Sequence, residues 1–238
     1  MKRHNLGELL NSYRIWEGKS PYDGAPIFAL ASCVKTPSAN RKTGVMIQIY
    51  ILRQDMSPLE AWKKGLDTAV CGDCSLRDGT CYVTLVWLTT MWKLGKDAPF
   101  KSPEDISDIS VQKKWPIRLG AYGDPAFIPI EVLISLHINP KTMKAKGGTG
   151  YTHQWKSVDH AYSEFLMASV DSLEEYLQAK AMQWRTFWVI KDFKEIQSSK
   201  VEQDVVQCAY YTKNVQCDSC GLCSGWRSKA KDIYTLIQ

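Results

Sequence analysis

The chain has 238 residues, 45% of them hydrophobic, which is enough to fill a sizeable core. It has no run of about 18 or more apolar residues, and charges are scattered through its beginning, so neither a membrane-spanning helix nor a signal peptide is expected. We therefore predict a cytoplasmic protein without a membrane partner. The 30 Lys and Arg residues only modestly outnumber the 25 Asp and Glu residues, which permits a polyanionic partner without requiring one.

Stretches typical of buried strands alternate along the chain with stretches typical of helices. The clearest helix starts are Ser57-Pro58 and Ser102-Pro103, where serine is a good N-cap and proline suits the first helical position. The predicted strands are 44–52, 81–88, 117–124, 150–155, 164–170, 185–191, 205–211 and 232–237. The main predicted helices are 57–70, 102–110, 129–138 and 171–184.

This alternation predicts an α/β fold built from parallel βαβ units, in the form of an incomplete or distorted (β/α) barrel. Apart from the Gly- and Lys-rich stretch 144–150, no segment has the composition of a linker. Residues 1–238 are therefore predicted to form a single domain, with an N-terminal extension over about residues 1–43.

Titratable side chains follow three consecutive predicted strands. Asp124, His153 and Asp171 come at their carboxyl ends, where ligands gather in parallel α/β sheets, and they are our candidate catalytic residues. Each also has a structural interpretation. Asp124 lies in a Gly-Asp-Pro turn, His153 could be a core histidine, and Asp171 precedes a helix as an N-cap would.

The same strand ends carry residues that could contact a nucleotide. The chain has 9 Trp and 11 Tyr, and large rings can stack on unpaired bases, although most Trp residues of a globular protein lie in its core. Arg185 could meet a phosphate or pair with a carboxylate. The candidate nucleic-acid-binding residues are Tyr122, Gln154, Trp155 and Arg185.

Six of the eight cysteines form two triplets, with the spacings C-x2-C-x6-C and C-x2-C-x2-C. A spacing of two lets neighbouring thiolates turn towards one ion, and a reducing compartment favours metal binding over disulfides. The second spacing also begins the run that holds iron–sulfur clusters, so the predicted cofactor is an iron–sulfur cluster or zinc, with iron–sulfur preferred. The triplets are Cys71, Cys74 and Cys81, and Cys217, Cys220 and Cys223.

Zinc prefers four ligands, and each triplet supplies three. Cys33, Cys208, His153 and His160 could complete a set, and of the two cysteines we include Cys208 among the predicted metal ligands. The triplets could form one shared site or two. A cluster held by only three thiolates would keep a position free for a substrate.

Several segments together resemble a family of phage and plasmid proteins related to those called gene product 88-like, some of which are labelled rolling-circle replication proteins. The resemblance spans roughly residues 45–237 and implies a mobile-element protein in the host cytoplasm. A rolling-circle initiator needs a His-hydrophobic-His metal pair, whereas this chain has no H-x-H. The segments are "CGDCSLRDGTCYV", "RLGAYGDPAFIP", "GYTHQW", "FLMASVDS", "QWRTFWVI" and "CDSCGLCSG".

A barrel with a thiolate site is also similar to the guanine transglycosylases, including enzymes that insert 7-deazaguanines into DNA. That resemblance implies that Asp124 attacks the sugar C1′ as the base leaves, and that Asp171 acts as acid and base. Those enzymes carry C-x-C-x2-C plus His, from which C-x2-C-x2-C departs. The predicted function is DNA base modification by base exchange, with DNA preferred to RNA. The alternative is a non-catalytic, metal-stapled module that binds DNA or a host protein.

Overall fold

The computed structural model describes residues 11–78, 81, 83–137, 148–226 and 229–237, which form a mixed α/β fold with two sheets. The strands are β1 (Ser12–Lys19), β2 (Pro26–Ser32), β3 (Ile47–Arg53), β4 (Ile117–Tyr122), β5 (Tyr151–Thr152), β6 (Met167–Val170), β7 (Thr186–Ile190), β8 (Val205–Gln207) and β9 (Asp232–Leu236). The helices are α1 (Pro58–Lys63), α2 (Thr68–Cys71), α3 (Leu85–Gly95), α4 (Pro103–Lys113), α5 (Ile130–His137), α6 (Leu173–Ala181), α7 (Lys194–Ser198), α8 (Ala209–Lys213) and α9 (Cys217–Cys220).

The first sheet has the strand order β1-β2-β3-β4. Its first three strands pair antiparallel, and β4 pairs parallel with β3. Every residue of β3 is buried, so this apolar strand is covered on both faces and lies at the centre of the core.

The second sheet is entirely parallel and has the order β5-β6-β7-β9-β8. Two hydrogen bonds connect it to β4 of the first sheet. The Leu119 amide donates to the Thr149 carbonyl at 2.7 Å, and the Thr149 amide donates to the Ile117 carbonyl at 2.9 Å. Strands β4, β5 and β6 are therefore spatial neighbours with parallel directions, and their carboxyl ends meet at one edge.

The serine caps behave as the sequence predicts for α1 and α4. The hydroxyls of Ser57 and Ser102 accept hydrogen bonds from the Glu60 and Asp105 amides, and proline occupies the first turn of each helix. In α6 the capping residue is Ser172, whose hydroxyl accepts from the Glu175 amide, so the side chain of Asp171 is not used as the N-cap.

The prediction of a buried strand over residues 81–88 is wrong. Residues from Leu85 onward form α3, whose eleven residues end at Gly95. A short apolar run fits a buried strand and a packed helix equally well, and here the run continues for helical length. The predicted N-terminal extension, about 1–43, contains β1 and β2, which extend the sheet beside β3.

The α/β class and the parallel βαβ units are present, but the barrel is not closed in the part of the chain that the structure describes. The first sheet contains antiparallel pairs, which a (β/α) barrel lacks. The Gly- and Lys-rich segment 144–150 lies partly outside the described residues, which resume at residue 148.

Candidate functional site

A cavity of about 330 Å³ opens between the inner face of the sheets and the loops that carry the cysteines. Arg118, Gly120, Ala121 and Tyr122 of β4 all line it. Further wall positions come from β5, β6, β7 and β9, and the adjacent loops add residues near 42, 74 and 217. The volume lies within the range of small-molecule sites.

All three members of the first triplet, Cys71, Cys74 and Cys81, line this cavity, and we call them the first cysteine group. Cys71 is the last residue of α2, and Gly72 then turns the chain at φ 56°. A Cβ at Gly72 would lie 2.5 Å from the side-chain amide nitrogen of the buried Gln154, which follows β5, so glycine suits both the positive φ and the close approach of this turn.

An ion pair holds the loop of the first cysteine group in shape. Arg77 donates from Nη2 to Asp67 Oδ1 at 2.7 Å and from Nε to Asp67 Oδ2 at 3.0 Å. This two-point contact joins the residues before Cys71 to those after Cys74, and the Asp67 side chain is only 5% exposed. The Tyr122 hydroxyl hydrogen-bonds to Cys71 from the sheet side.

The structure brings together the three residues predicted to be catalytic. Asp124 Oδ2 accepts from the His153 amide at 2.9 Å, and His153 Nε2 lies 3.6 Å from Asp171 Oδ2. His153 Nε2 is also 4.0 Å from the sulfur of Cys74, and the Ser75 hydroxyl donates to Asp171 Oδ2 at 2.5 Å. The strand ends and the first cysteine group therefore form one continuous wall.

Charge and burial act in opposite directions on these groups. Burial alone would lower the pKa of His153, but the neighbouring Asp171 carboxylate and Cys74 thiol raise this pKa to about 10. Burial raises the pKa of Asp124, although the amides of Ala126 and His153 that donate to its carboxylate oppose the shift. Burial also raises the pKa of Cys71 well above the ordinary thiol value, and the nearby Cys74 adds to this.

The second triplet forms a separate cluster, joined by Cys208. We call Cys208, Cys217, Cys220 and Cys223 the second cysteine group. They surround a small cavity of about 10 Å³ beside the large one, and Cys217 lines both. Burial raises the pKa of Cys223 to about 12, while a hydrogen bond from Tyr151 opposes the shift. Burial and the Cys208 thiol also raise the pKa of Cys217, against the positive charges of Arg118 and Lys42.

Cys71, Cys74 and Cys81 line only the large cavity, Cys208, Cys220 and Cys223 line only the small one, and Cys217 lines both. Within the described part of the chain, no group of three or more His, Cys, Asp or Glu side chains has a geometry that could hold a metal ion. Cys33 lies after β2 beside Ser32 and Ser38, and His160 contacts the Met182 carbonyl at 2.8 Å. Of the four candidates for completing a triplet, the fold thus places Cys208 with the second group and His153 with the first.

The residues predicted to bind nucleic acid have different surroundings. Tyr122 lines the cavity, but Trp155 is 1% exposed and its indole donates to the Ser169 carbonyl. Gln154 is buried beneath Gly72. Arg185 is also buried, and it donates to the carbonyls of Leu222, Ser224 and Lys231. These last three residues are buried and do not line the cavity, so we keep only Tyr122 as a candidate contact with nucleic acid.

Three further residues of the site, two in the cavity wall and one behind it, were not predicted from the sequence. Lys42 and Arg118 line the cavity on the side of Cys217, and Ser75 hydrogen-bonds to Asp171. Arg118 lies near the start of β4, four residues before Tyr122, which also lines the cavity. It was not predicted because the candidate residues were chosen only from the carboxyl ends of the strands. Lys42 precedes the predicted strand in a region with no pattern that marks it.

Fold and site together define a mixed α/β protein with a ligand-sized cavity between two cysteine clusters. The chain matches no family model, no curated protein and no solved structure. Within the described residues, no helix has both the length and the apolar character needed to cross a membrane.

Proposed function

We propose that this protein is an enzyme that acts on a base of a nucleic acid, with a metal centre held by the first cysteine group. The observation that carries the proposal is the shared wall. Cys71 and Cys74 line the same cavity as His153, and Asp171 contacts His153 behind them. Metal ligands and polar groups that converge on one concave site are typical of an active centre.

The number of thiols supports a reactive centre on this wall. Three cysteines leave a position of a four-coordinate ion, or one iron of a cluster, without a protein thiolate. That position would face a cavity of about 330 Å³, which has room for a cofactor or substrate. The metal would supply Lewis-acid or redox chemistry there, and the surrounding side chains would orient the substrate.

The opposite side of the cavity supports an anionic, aromatic substrate. Lys42 and Arg118 line the wall near Cys217, and cationic side chains suit the phosphate of a nucleotide. The rings of Tyr151 and Phe187 also contribute to the lining, with their centroids 4.3 Å apart. Such rings offer apolar and stacking contacts to a base.

The polar groups of the catalytic wall suit recognition of a base edge. His153 can exchange a hydrogen bond with a base nitrogen or oxygen, and Asp171 holds its ring in place. Asp124 accepts hydrogen bonds from two backbone amides and from the Thr152 hydroxyl, which fixes its carboxylate on the wall. Base exchange with Asp124 as nucleophile is therefore the concrete version of the proposed reaction.

The proposal is tested by incubating the anaerobically purified, metal-containing protein with single-stranded DNA, duplex DNA and RNA. Digestion to nucleosides and mass spectrometry would detect a released or exchanged base. We expect activity in the natural protein and in two controls, Cys33→Ser and Glu202→Gln, the second of which alters an exposed carboxylate. We expect a loss of at least tenfold in Cys74→Ser and Asp171→Asn. Failure to bind or change any of these nucleic acids would refute the proposal.

A specific observation also favours the alternative of a binding module. Tyr22 and Trp62 are about half exposed, and both contact the loop of the first cysteine group, Tyr22 through Asp73 and Trp62 through the Arg77 carbonyl. Exposed rings on a metal-stabilised loop could stack on single-stranded bases without catalysis. In that case Trp62→Ala would weaken binding of single-stranded DNA, whereas Asp171→Asn would leave binding intact. Neither the natural protein nor the Asp171→Asn variant would show turnover.

A further inference from the structure

The second cysteine group has a ligand set of its own. Cys208 follows β8, Cys217 and Cys220 are the first and last residues of α9, and Cys223 follows three positions later. All four residues line the same small cavity, and the thiols of Cys208, Cys217 and Cys220 are electrostatic neighbours of Cys223. Four thiols around one space match the ligand number of a closed structural zinc site.

The size of the enclosed space distinguishes the two cysteine groups. The second group surrounds about 10 Å³, which is about the space of one water molecule, whereas the first borders a cavity of about 330 Å³. A single ion suits the smaller space, and an iron–sulfur cluster requires more. Arg118 and Lys42 lie near Cys217, and their positive charge suits an ion surrounded by four thiolates.

The local backbone also needs an external constraint. Helix α9 has four residues and α8 has five, and helices this short are not stable by themselves in water. Gly221 has φ 60° and reverses the chain after α9, which lets Cys223 return to the same space as Cys217. An ion bound by Cys208, which directly precedes α8, and by Cys217 and Cys220 of α9 would stabilise this arrangement directly.

Helix α9 in turn holds the segment 41–45 against the sheet. The amides of Cys217 and Asp218 donate to the Lys42 and Thr43 carbonyls, both at 3.0 Å, and the Val45 amide donates to Asp218 Oδ2 at 2.9 Å. The same segment places Lys42 and Thr43 in the wall of the large cavity. The position of α9 therefore determines the shape of that wall.

We propose that Cys208, Cys217, Cys220 and Cys223 form a closed, non-catalytic site for a single thiophilic divalent cation, with zinc the best match. Each thiol that binds loses its proton to solvent as the sulfur–metal bond forms, so no oxidant or reductant is needed. The bound ion draws the four sulfurs inwards, fixes α9, and through α9 fixes the segment 41–45. This site takes no chemical part in the reaction proposed for the large cavity, and the evidence for it does not depend on that reaction.

The test uses the full-length chain, freed of metal under reducing conditions and titrated with zinc or with cobalt as a coloured substitute. We expect Cys208→Ser and Cys220→Ser each to lose an equivalent of tight zinc relative to the natural protein and to Cys33→Ser. Cys74→Ser, which alters the first cysteine group, should retain that equivalent. Full zinc binding by Cys208→Ser would overturn the assignment.

Two measurements keep the proposal testable if a serine variant does not fold. The cobalt spectrum of the natural chain should show the strong thiolate charge-transfer bands of a four-sulfur tetrahedral site, and a six-coordinate spectrum would overturn the proposal. Zinc should also slow amide hydrogen exchange across residues 41–45, and unchanged exchange there would refute the link to the cavity. Neither measurement depends on catalytic activity, so failure of the proposed function would leave this result intact.

Discussion

Arg77 and Asp67 form a two-point ion pair that closes the loop of the first cysteine group. The pair ties the residue before α2 to the turn after Cys74, and Cys71 and Cys74, which lie between its two ends, line the same cavity. Because the Asp67 carboxylate is buried, the arrangement depends on its partner remaining in place.

Arg77→Ala should destabilise the protein by about 3–5 kcal/mol, because it leaves a buried carboxylate without its partner. Arg77→Lys should cost less but should still weaken metal binding at the first cysteine group, since lysine cannot make both contacts. The matched control is Lys64→Ala, which removes the exposed pair with Glu60 and should cost about 0–1 kcal/mol. Urea denaturation measures the free energies, and equal losses for Arg77→Ala and Lys64→Ala would contradict the prediction.

Gly72→Ala should lower the stability of the protein by more than the usual cost of placing alanine at a positive φ. The added Cβ would lie 2.5 Å from the Gln154 amide nitrogen, in addition to the strain of φ 56°. Gly24→Ala is the matched control, because Gly24 has φ 74° and nothing within 4 Å of a Cβ, so it should cost about 1–2 kcal/mol. Thermal melting of the two variants compares these costs. Equal losses of stability in Gly72→Ala and Gly24→Ala would show that the contact with Gln154 adds no cost.

Asp171→Asn should reduce turnover roughly 10–100-fold, because the neutral amide holds the His153 ring less firmly. The Asp171 side chain is 26% exposed, so we expect only a small change in the free energy of unfolding. The reduction should fall mainly on kcat, with KM little changed. Glu202→Gln serves as a control for the loss of an exposed carboxylate, and an Asp171→Asn protein with full kcat would rule out this role.

The stability difference between the natural protein and Asp55→Asn should depend on pH. The hydrogen bond from Arg53 lowers the pKa of Asp55 below 3.8, and burial opposes this only in part. A carboxylate whose pKa is lowered on folding contributes stability that is complete above its unfolded pKa and disappears as the pH falls through the folded value. Urea denaturation at neutral pH and at about pH 3 should therefore show a difference that shrinks in acid. A difference that persists unchanged would contradict the assignment.

The sequence predicts those parts of the site that depend on local order. Asp124, His153 and Asp171 follow strands that are consecutive along the chain and neighbours in space, so their proximity follows from parallel topology. The caps at Ser57 and Ser102 were predictable because capping involves only residues within one turn.

Features that depend on tertiary contacts could not be predicted in the same way. The apolar residues after Thr84 suit both a strand and α3, and packing decides between them. The choice of Ser172 as the cap of α6 leaves Asp171 for contacts with His153 and Ser75, and this depends on a loop almost a hundred residues earlier. Likewise, the sequence offers Cys208 as one of several fourth ligands, and only the pairing of β8 with β9 places it beside Cys223.

Thr149 and Cys217 each border both the large and the small cavity, so the two compartments share a partition. A ligand that fills the large cavity would cover the Cys217 sulfur and shield it from the solvent route through that opening. Chelators and oxidants would then reach the small compartment more slowly in the ligand-bound protein than in the free protein. A ligand in the large cavity would thus slow the loss of metal from the small cavity and the oxidation of its thiols.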